Sequence, residues 1–207
     1  MAAAILWIHG LGDTGDGWKG AFSRVSKYVP TVRFVHPTAP EQPVTCQGGC
    51  RMTSWFDITN WNPATGGIDL KEPDTPAGLD DSVTFVHEQL EILENQGVPP
   101  ERIILGGFSQ GGTLSLLAGL SYPKRLGGIV SISGWATYRE SLASKVTEAN
   151  SIVPILFCCG TDDPVVEFEL TKASGELLQS ILGDAAQVMH DMRSMHQPST
   201  RELEAVI

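Results

Sequence analysis

The strongest chemical signal in the sequence is the segment Gly107–Gly111, which reads GFSQG and is a Gly-x-Ser-x-Gly motif. It follows the apolar run Ile103–Leu105 and precedes a helical stretch, so Ser109 is expected on a tight strand–turn–helix connection. Such a turn exposes the serine hydroxyl at a helix N-terminus, and the flanking glycines leave room for neighbouring backbone. The amide of Gln110 then points to where an oxyanion would form. The motif predicts a nucleophilic serine rather than a serine that only caps a helix.

A serine nucleophile needs a histidine base, which in this type of site follows the serine in the chain. Two histidines follow Ser109, namely His190 and His196. His190 falls in a predicted strand, whereas His196 falls in the loop after it. Because a catalytic histidine must reach the carboxyl edge of the sheet from a loop, we predict His196 as the base and His190 as a structural residue.

The base needs an orienting carboxylate, which is expected after the predicted strand Pro154–Cys158. The segment that follows this strand contains Asp162 and Asp163. Pro164 fixes an extended approach for the residue before it, which favours Asp163. Asp162 remains the alternative, with helix capping or loop hydrogen bonding as its other role.

A second oxyanion donor should come from the loop after an early strand. That loop is His9–Gly15, and its glycines permit the backbone to turn and present an amide. We predict the backbone N–H of Leu11 as this donor. A phosphate-binding loop is disfavoured, because neither a complete Gly-x-Gly-x-x-Gly motif with its downstream carboxylate nor a Walker-type sequence is present.

These residues require a scaffold in which short strands alternate with helices. Short apolar runs predict strands at Ile5–Ile8, Val32–Val35, Ile103–Leu105, Gly128–Ser131, Pro154–Cys158 and Gln187–His190. Helices are predicted at Ala77–Gln96, Ser109–Leu120 and Val166–Leu182. The alternation predicts an α/β fold with a mostly parallel central sheet and helices on both faces, although it does not give the strand order.

The helix Ala77–Gln96 carries terminal signals in the sequence. Thr75 is predicted as its N-cap, with Pro76 at the first helical position. Gly97 occupies the place of a C′ glycine, with prolines just beyond it.

One segment, Pro37–Pro76, breaks the alternation and is rich in Gly, Pro, Thr and Asn. A structureless loop of this length is uncommon in a compact domain, so the segment either holds short strands or covers a functional site. We find no linker composition that would divide the chain, and residues 1–207 are predicted to form one domain.

The net charge of −10, from 14 basic and 24 acidic residues, argues against nucleic-acid binding and against binding to anionic membranes. No run is long and apolar enough for a membrane helix, and Ala2–Ile8 is predicted as a buried strand rather than a signal peptide. We therefore expect no stable membrane anchor.

Cys158 and Cys159 are predicted as small buried hydrophobic residues. Cys46 and Cys50 lack the further ligands that a zinc site needs, and a disulfide between them is the alternative to two free thiols. A reducing, cytoplasmic setting is the simplest explanation of the four cysteines.

Several segments resemble the acyl-protein thioesterases, which are cytosolic serine hydrolases of the carboxylesterase and lysophospholipase type. In chain order they are His9–Gly15 with Gly17-Trp18, Pro43–Thr45, Ser54–Asp57, Arg102–Gly112 and Ser133–Trp135. The resemblance covers nearly the whole chain and implies an α/β-hydrolase fold. It also implies cleavage of the thioesters that join long acyl chains to protein cysteines, with side activity on lysophospholipids and small esters.

The resemblance further implies that Leu11 and Gln110 form the oxyanion hole, and that no metal or organic cofactor is needed. It implies that Trp135 and the segment around Trp55 and Phe56 line an acyl channel, and we include Val166 among the substrate-binding residues. Trp55 and Phe56 have an alternative role, which is only to pack the loop onto the body of the protein. The expected partners are S-acylated proteins or acyl lipids, and a weak homodimer through the active-site face.

Three features depart from the usual pattern of this family. The segment Arg193–His196 replaces a glycine-containing approach to the histidine, and Val165–Glu167 has a glutamate where the family has a proline. The chain also stops at Ile207, soon after the histidine, so we expect a shortened last helix. The alternatives to a thioesterase are a carboxylesterase or lysophospholipase that acts on small or lipid esters, and a non-catalytic binding protein of the same fold.

Overall fold

The structure is a computed structural model that describes residues 2–191, 195–199, 202 and 203. The strands are β1 (Ala3–Ile8), β2 (Val32–Val35), β3 (Glu41–Val44), β4 (Cys50–Thr53), β5 (Ile103–Phe108), β6 (Gly128–Ile132), β7 (Ile155–Gly160) and β8 (Ala186–Asp191). The α-helices are α1 (Gly15–Val25), α2 (Leu79–Asn95), α3 (Gln110–Ser121), α4 (Leu142–Lys145) and α5 (Phe168–Leu182).

Six of these strands form a parallel sheet in the order β2-β1-β5-β6-β7-β8 within the described part of the chain. All six predicted strands are confirmed. The chain runs from β1 to β2 on one side and then returns to place β5 on the other side of β1. Loops that follow neighbouring parallel strands at such a reversal enclose a crevice at the carboxyl edge of the sheet.

Alternate residues of each strand face opposite sides of the sheet, as the two-residue period of a strand requires. Ile5 and Trp7 of β1 pack with Trp18 and Phe22 of α1, while Leu6 belongs to the core cluster that includes α2, α3 and α5. Trp7 lies 5.1 Å from Trp18 and 5.0 Å from Phe22, measured between ring centroids. The prediction of helices on both faces is confirmed.

The predicted N-terminus of α2 is wrong, because the helix begins at Leu79 and not at Pro76. Its N-cap is Gly78, with φ of 84°, a left-handed conformation that a glycine adopts easily. Residues 76–79 instead form a turn, in which the N–H of Leu79 donates to the Pro76 carbonyl at 3.3 Å and the Ala77 carbonyl accepts a hydrogen bond from the N–H of Asp57 at 2.9 Å.

The predicted C-terminus of α2 is confirmed, with Gly97 at φ of 87°. The N–H of Val98 donates to the carbonyl of Leu93 at 3.1 Å, and that of Gly97 donates to Glu94 at 2.8 Å. This is the hydrogen-bond pattern of a Schellman motif.

The segment Pro37–Pro76, called the cover segment below, holds short strands and also lies over the carboxyl edge of the sheet. Strands β3 and β4 form an antiparallel pair, and Asn62 makes an isolated antiparallel bridge to Gly67. The two interpretations of this segment are therefore compatible. None of the helices that the structure describes is long and apolar enough to cross a membrane.

Candidate active site

Ser109 occupies the turn between β5 and α3 with φ of 55° and ψ of −121°. Its N–H donates to the carbonyl of Ile132 at 2.8 Å, which fixes this unusual conformation. The glycines on either side are needed because the backbone is too close for a side chain. A Cβ on Gly107 would lie 2.7 Å from the Ile8 carbonyl oxygen, and one on Gly111 would lie 2.1 Å from the same atom.

The structure brings Ser109, His196 and Asp163 into one chain of hydrogen bonds. His196 Nε2 lies 3.0 Å from Ser109 Oγ, and His196 Nδ1 lies 2.8 Å from Asp163 Oδ2. Because Nδ1–H donates to the carboxylate, Nε2 is left to accept the serine hydroxyl. The order nucleophile, base, carboxylate is the arrangement that acyl-transfer chemistry requires.

The two alternative residues lie elsewhere. Asp162 is exposed, and its carboxylate accepts a hydrogen bond from the Thr161 hydroxyl at 3.3 Å. His190 lies on β8, with its ring edge-on to Phe168 at 5.3 Å between centroids. Neither residue is part of the hydrogen-bonded chain.

Asp163 is buried and held from two sides. Its Oδ1 accepts the backbone N–H groups of Val165 at 2.8 Å and Val166 at 2.9 Å, which leaves Oδ2 for His196. The imidazole packs against the ring of Phe108, 4.7 Å away between centroids. The carboxylate and the imidazole are thus both oriented before any substrate arrives.

The backbone N–H groups of Leu11 and Gln110 donate to no acceptor within the described part of the chain. Gln110 is the first residue of α3, so its amide has no partner inside the helix. Leu11 follows β1 and Gln110 follows β5, and these are neighbouring strands of the sheet. Both amides are therefore available to an oxygen bound beside Ser109.

The loop that carries Leu11 is anchored by the buried His9. The Ala39 N–H donates to His9 Nε2 at 3.0 Å, so the ring is neutral and its Nδ1–H donates to the Gly10 carbonyl at 2.7 Å. Burial lowers the pKa of His9, more than the Gly10 hydrogen bond raises it. The indole Nε1–H of Trp55 donates to the His9 carbonyl at 2.9 Å, which ties the same loop to the cover segment.

The side chain of Gln110 is fully buried and connects the turn after Ser109 to the cover segment. Its Oε1 accepts the N–H of Trp55 at 3.0 Å. Its Nε2 donates to the Ser54 hydroxyl at 2.9 Å and to the Phe56 carbonyl at 2.7 Å. From the sequence we predicted no role for the Gln110 side chain. We did predict one for the segment around Trp55 and Phe56, to which this side chain is hydrogen-bonded.

A cavity of about 330 Å³ opens beside Ser109 and His196. Its apolar side chains come from Leu11, Cys46, Ile58, Trp61, Ile68, Phe108 and Val165. Four of these seven residues belong to the cover segment. An apolar chain attached to a carbonyl at Ser109 would have a matching surface here.

The four residues predicted from sequence to bind substrate are not among those that line this cavity. Trp55, Phe56, Trp135 and Val166 are buried, and Phe56 packs edge-on against Trp135 at 6.1 Å between ring centroids. The lining residues Ile58, Trp61 and Ile68 were missed. The sequence does contain a signal that could have identified them. They are isolated apolar residues within a polar segment that was predicted as a possible cover over a site.

Cys46 and Cys50 are not joined by a disulfide, and Cys158 and Cys159 are buried as predicted. Cys46 lines the cavity, and burial raises the pKa of its thiol. The part of the chain that the structure describes contains no group of side chains that could hold a metal ion. The segment before His196 departs from the usual family pattern, and two of its residues, Arg193 and Ser194, lie outside the described residues.

Comparisons with known proteins show the family to which the chain belongs. The family model of the phospholipases/carboxylesterases matches residues 1–207. The acyl-protein thioesterase 1 of Gibberella zeae is 40% identical over 190 residues, covering 89% of this chain and 79% of that protein. The acyl-protein thioesterase 1 of Schizosaccharomyces pombe is 36% identical over 176 residues, covering 85% of this chain and 75% of that protein.

Two solved structures are similar over nearly the whole chain. Arabidopsis thaliana SOBER1 has a TM-score of 0.87 and 33% sequence identity, covering 100% of this chain and 96% of that chain. Zea mays acyl-protein thioesterase 2 has a TM-score of 0.79 and 26% identity, covering 99% of this chain and 90% of that chain.

Proposed function

Because the chain belongs to the phospholipase/carboxylesterase family and has the α/β-hydrolase fold, we propose that it is a serine hydrolase that removes long-chain fatty acyl groups from protein cysteines. The observation that carries this proposal is the hydrogen-bonded chain from Ser109 through His196 to Asp163, next to an apolar cavity. The preference for thioesters is supported by the relatives named acyl-protein thioesterase.

In the first half of the reaction, Ser109 Oγ attacks the thioester carbonyl while His196 Nε2 takes the hydroxyl proton. Asp163 holds the imidazole in the required tautomer and stabilises its charged form. The N–H groups of Leu11 and Gln110 donate to the oxyanion of the tetrahedral intermediate. The carbon–sulfur bond then breaks, the protonated His196 gives its proton to the leaving thiolate, and the acyl group remains on Ser109.

In the second half, a water molecule attacks the acyl-enzyme while His196 accepts one of its protons. A second tetrahedral intermediate uses the same two amides. Its collapse breaks the ester bond, the proton returns to Ser109 Oγ, and the fatty acid leaves. The nucleophile of the first half, the base, the carboxylate and the two oxyanion donors all come from the chain itself.

The second candidate function is a carboxylesterase or lysophospholipase, which the description of the matching family favours. The same Ser109 chemistry would serve it, so the difference lies in the leaving group and the acyl length. The partners we propose are S-acylated proteins. We also propose that the protein is cytoplasmic, because its cysteines form no disulfide and the cytoplasm keeps thiols reduced. A weak homodimer through the active-site face is a further proposal.

The test is the hydrolysis of matched esters and thioesters with acetyl, octanoyl and palmitoyl chains, by the unchanged protein and by Ser109→Ala. We expect the highest kcat/KM for the palmitoyl thioester and a fall of at least about 10⁴-fold in Ser109→Ala with the fold retained. Activity confined to short esters would move the function to the second candidate. Near-normal turnover by Ser109→Ala would overturn both.

A further inference from the structure

Part of the apolar wall of the cavity is built from two segments that are far apart in the sequence. One is the turn 61–68 of the cover segment, and the other is the loop 163–167. The N–H of Ile68 donates to the Val165 carbonyl at 2.7 Å, and the N–H of Glu167 donates to the Ile68 carbonyl at 2.9 Å. These two backbone hydrogen bonds hold the turn against the loop that contains Asp163.

The side chain of Glu167 adds a second attachment between these segments. Glu167 is the N-cap residue of α5, yet its side chain makes no capping hydrogen bond to its own helix. Its Oε1 instead accepts hydrogen bonds from Asn62 Nδ2 at 3.0 Å and from the Thr65 hydroxyl. Within the described ranges, no lysine or arginine forms an ion pair with this carboxylate. Its hydrogen-bond partners in the cover segment are both side chains of the turn.

The turn keeps its own shape without Glu167. The N–H of Asn62 donates to the Gly67 carbonyl at 2.7 Å, and the N–H of Gly66 donates to the Asn62 carbonyl at 2.7 Å. Asn62 Nδ2 also donates to Asp69 Oδ2 at 3.2 Å. These bonds form the turn, whereas the bonds to the Glu167 side chain add to the backbone bonds of Ile68 that hold the turn against the loop 163–167.

Two side chains of the turn, those of Trp61 and Ile68, would contact the part of an acyl chain that lies far from its carbonyl. Trp61 stands next to Asn62 at the rim of the cavity and is 37% exposed, while Ile68 is buried in the wall. A turn that moves away from the loop would carry both side chains with it. The reacting groups at Ser109 and His196 are held by separate hydrogen bonds and would keep their positions.

We propose that Glu167 is a positioning residue that latches the turn 61–68 onto the loop 163–167 and thereby sets the acyl-chain length that the site accepts. This inference rests on the proposed function, because it concerns the binding of the acyl group. Hydrogen bonds to a charged acceptor are stronger than those between neutral groups, which suits a single side chain to this role. The latch acts on binding of the chain and not on the chemical step.

The test compares Glu167→Ala with the unchanged protein on acetyl, octanoyl and palmitoyl thioesters and on the matched esters. We expect KM for the palmitoyl substrates to rise about tenfold, with kcat and the values for acetyl substrates within about twofold. Glu167→Gln should give a KM for the palmitoyl substrates between those of the unchanged protein and Glu167→Ala, because its amide oxygen accepts the same two hydrogen bonds without the charge.

Two further variants keep the test independent of stability. Glu169→Ala removes the same charge from an exposed position in the first turn of α5, and it should leave the chain-length profile unchanged. Thr65→Val removes one donor from the other side of the latch. It should raise KM for the palmitoyl substrates about threefold, and it should add nothing when combined with Glu167→Ala. This variant carries the test if Glu167→Ala does not fold.

Three results would overturn the latch: equal losses at all chain lengths, an effect of Glu167→Ala no larger than that of Glu169→Ala, or a loss in Glu167→Gln as large as in Glu167→Ala. The ester series separates this outcome from failure of the proposed function. If the unchanged protein cleaves palmitoyl esters but not thioesters, the thioesterase assignment fails while the effect of the latch on chain length is still measured.

Discussion

Ser109 pairs a strained backbone with a hydroxyl that is already hydrogen-bonded to its base. A non-glycine residue at φ of 55° and ψ of −121° costs about 1–3 kcal/mol, which the surrounding structure must offset. The offset comes from the hydrogen bond to Ile132 and from the close packing of the turn against β1. With this geometry the hydroxyl oxygen lies 3.0 Å from His196 Nε2, and the Gln110 N–H donates to no acceptor among the described residues.

At the same scale, His9 makes the loop with Leu11 sensitive to pH. Burial lowers the pKa of His9 below its ordinary value of 6.5, so the folded protein binds fewer protons here than the unfolded chain. The stability that neutral His9 contributes is present above this ordinary value and is lost as the pH falls towards the lowered folded pKa. Protonation also removes the acceptor for the Ala39 N–H.

We therefore expect the unchanged protein to lose stability relative to His9→Gln as the pH falls from about 7.5 to about 5.5. The loss is at most about 1.4 kcal/mol per pH unit for one titrating group. Urea unfolding of both proteins at the two pH values measures this difference, and other titrating groups cancel because both proteins share them. A difference that stays constant or grows in favour of the unchanged protein would contradict this role of His9.

The two tryptophans of the cover segment should differ in their effect on substrates. Trp61 lines the cavity, whereas Trp55 is buried behind it with its N–H groups bonded to Gln110 and His9. Trp61→Ala should lower kcat/KM for palmitoyl substrates roughly tenfold, equivalent to lost burial of about two methylenes, and spare acetyl substrates.

Trp55→Ala should instead destabilise the protein by about 3–5 kcal/mol and lower activity equally at every chain length. Kinetics on the same substrate series, with unfolding curves for both variants, separates the two roles. A selective loss of long-chain activity in Trp55→Ala would favour the acyl-channel role that its family resemblance implies.

At the scale of elements, the site depends on how closely α3 approaches β1. A Cβ on Gly111 would lie 2.1 Å from the Ile8 carbonyl oxygen and 2.5 Å from that of His9, so Gly111→Ala must push the helix away from the strand. We expect a loss of about 3 kcal/mol in the unfolding free energy and the loss of most activity.

Gly20→Ala is the matched control, because Gly20 lies inside α1 and nothing stands within 4 Å of a Cβ built there. It should stabilise the protein by up to about 1 kcal/mol, since alanine is the better helix former. Chemical denaturation of both variants measures the contrast. A Gly111→Ala protein as stable and active as Gly20→Ala would contradict the close packing of the turn.

The strands and helices differ in how well they can be predicted from the sequence. The six core strands and the C-terminus of α2 follow from local patterns, because buried strands and a C′ glycine have strong local signals. Helix α1 was missed because its first turn is glycine-rich, although Thr14 caps it through the N–H of Gly17. The start of α2 was wrong because a contact with Asp57, distant in the sequence, decides it.

The same distinction holds for the site. The pairing of Ser109, His196 and Asp163 follows from chain order and from the shared edge of parallel strands. The wall of the cavity cannot be predicted in this way. Ile68 and Val165 come together because two loops nearly 100 residues apart in the sequence pair through their backbones. The role of the Gln110 side chain likewise depends on contacts with the cover segment.

At the scale of the whole molecule, the net charge of −10 opposes binding to anionic membranes, where acylated proteins are found. We expect hydrolysis of a palmitoylated peptide on vesicles with 30% phosphatidylserine to speed up several-fold between about 20 and 200 mM salt, because screening weakens the repulsion. On vesicles of phosphatidylcholine alone, the rate should not depend on salt. A rate on anionic vesicles that falls with salt would indicate attraction instead.

The proposed function depends on one nucleophile, Ser109, that serves one apolar cavity. The most direct measurement is labelling with a fluorophosphonate followed by peptide mass spectrometry, with and without a competing palmitoyl thioester, in the unchanged protein and in His196→Ala. We expect one adduct, on Ser109, whose formation is slowed by the thioester and is lost in His196→Ala. Hydrolysis of the thioester by a protein whose Ser109 remains unlabelled, or an adduct on Cys46 in the same cavity, would contradict it.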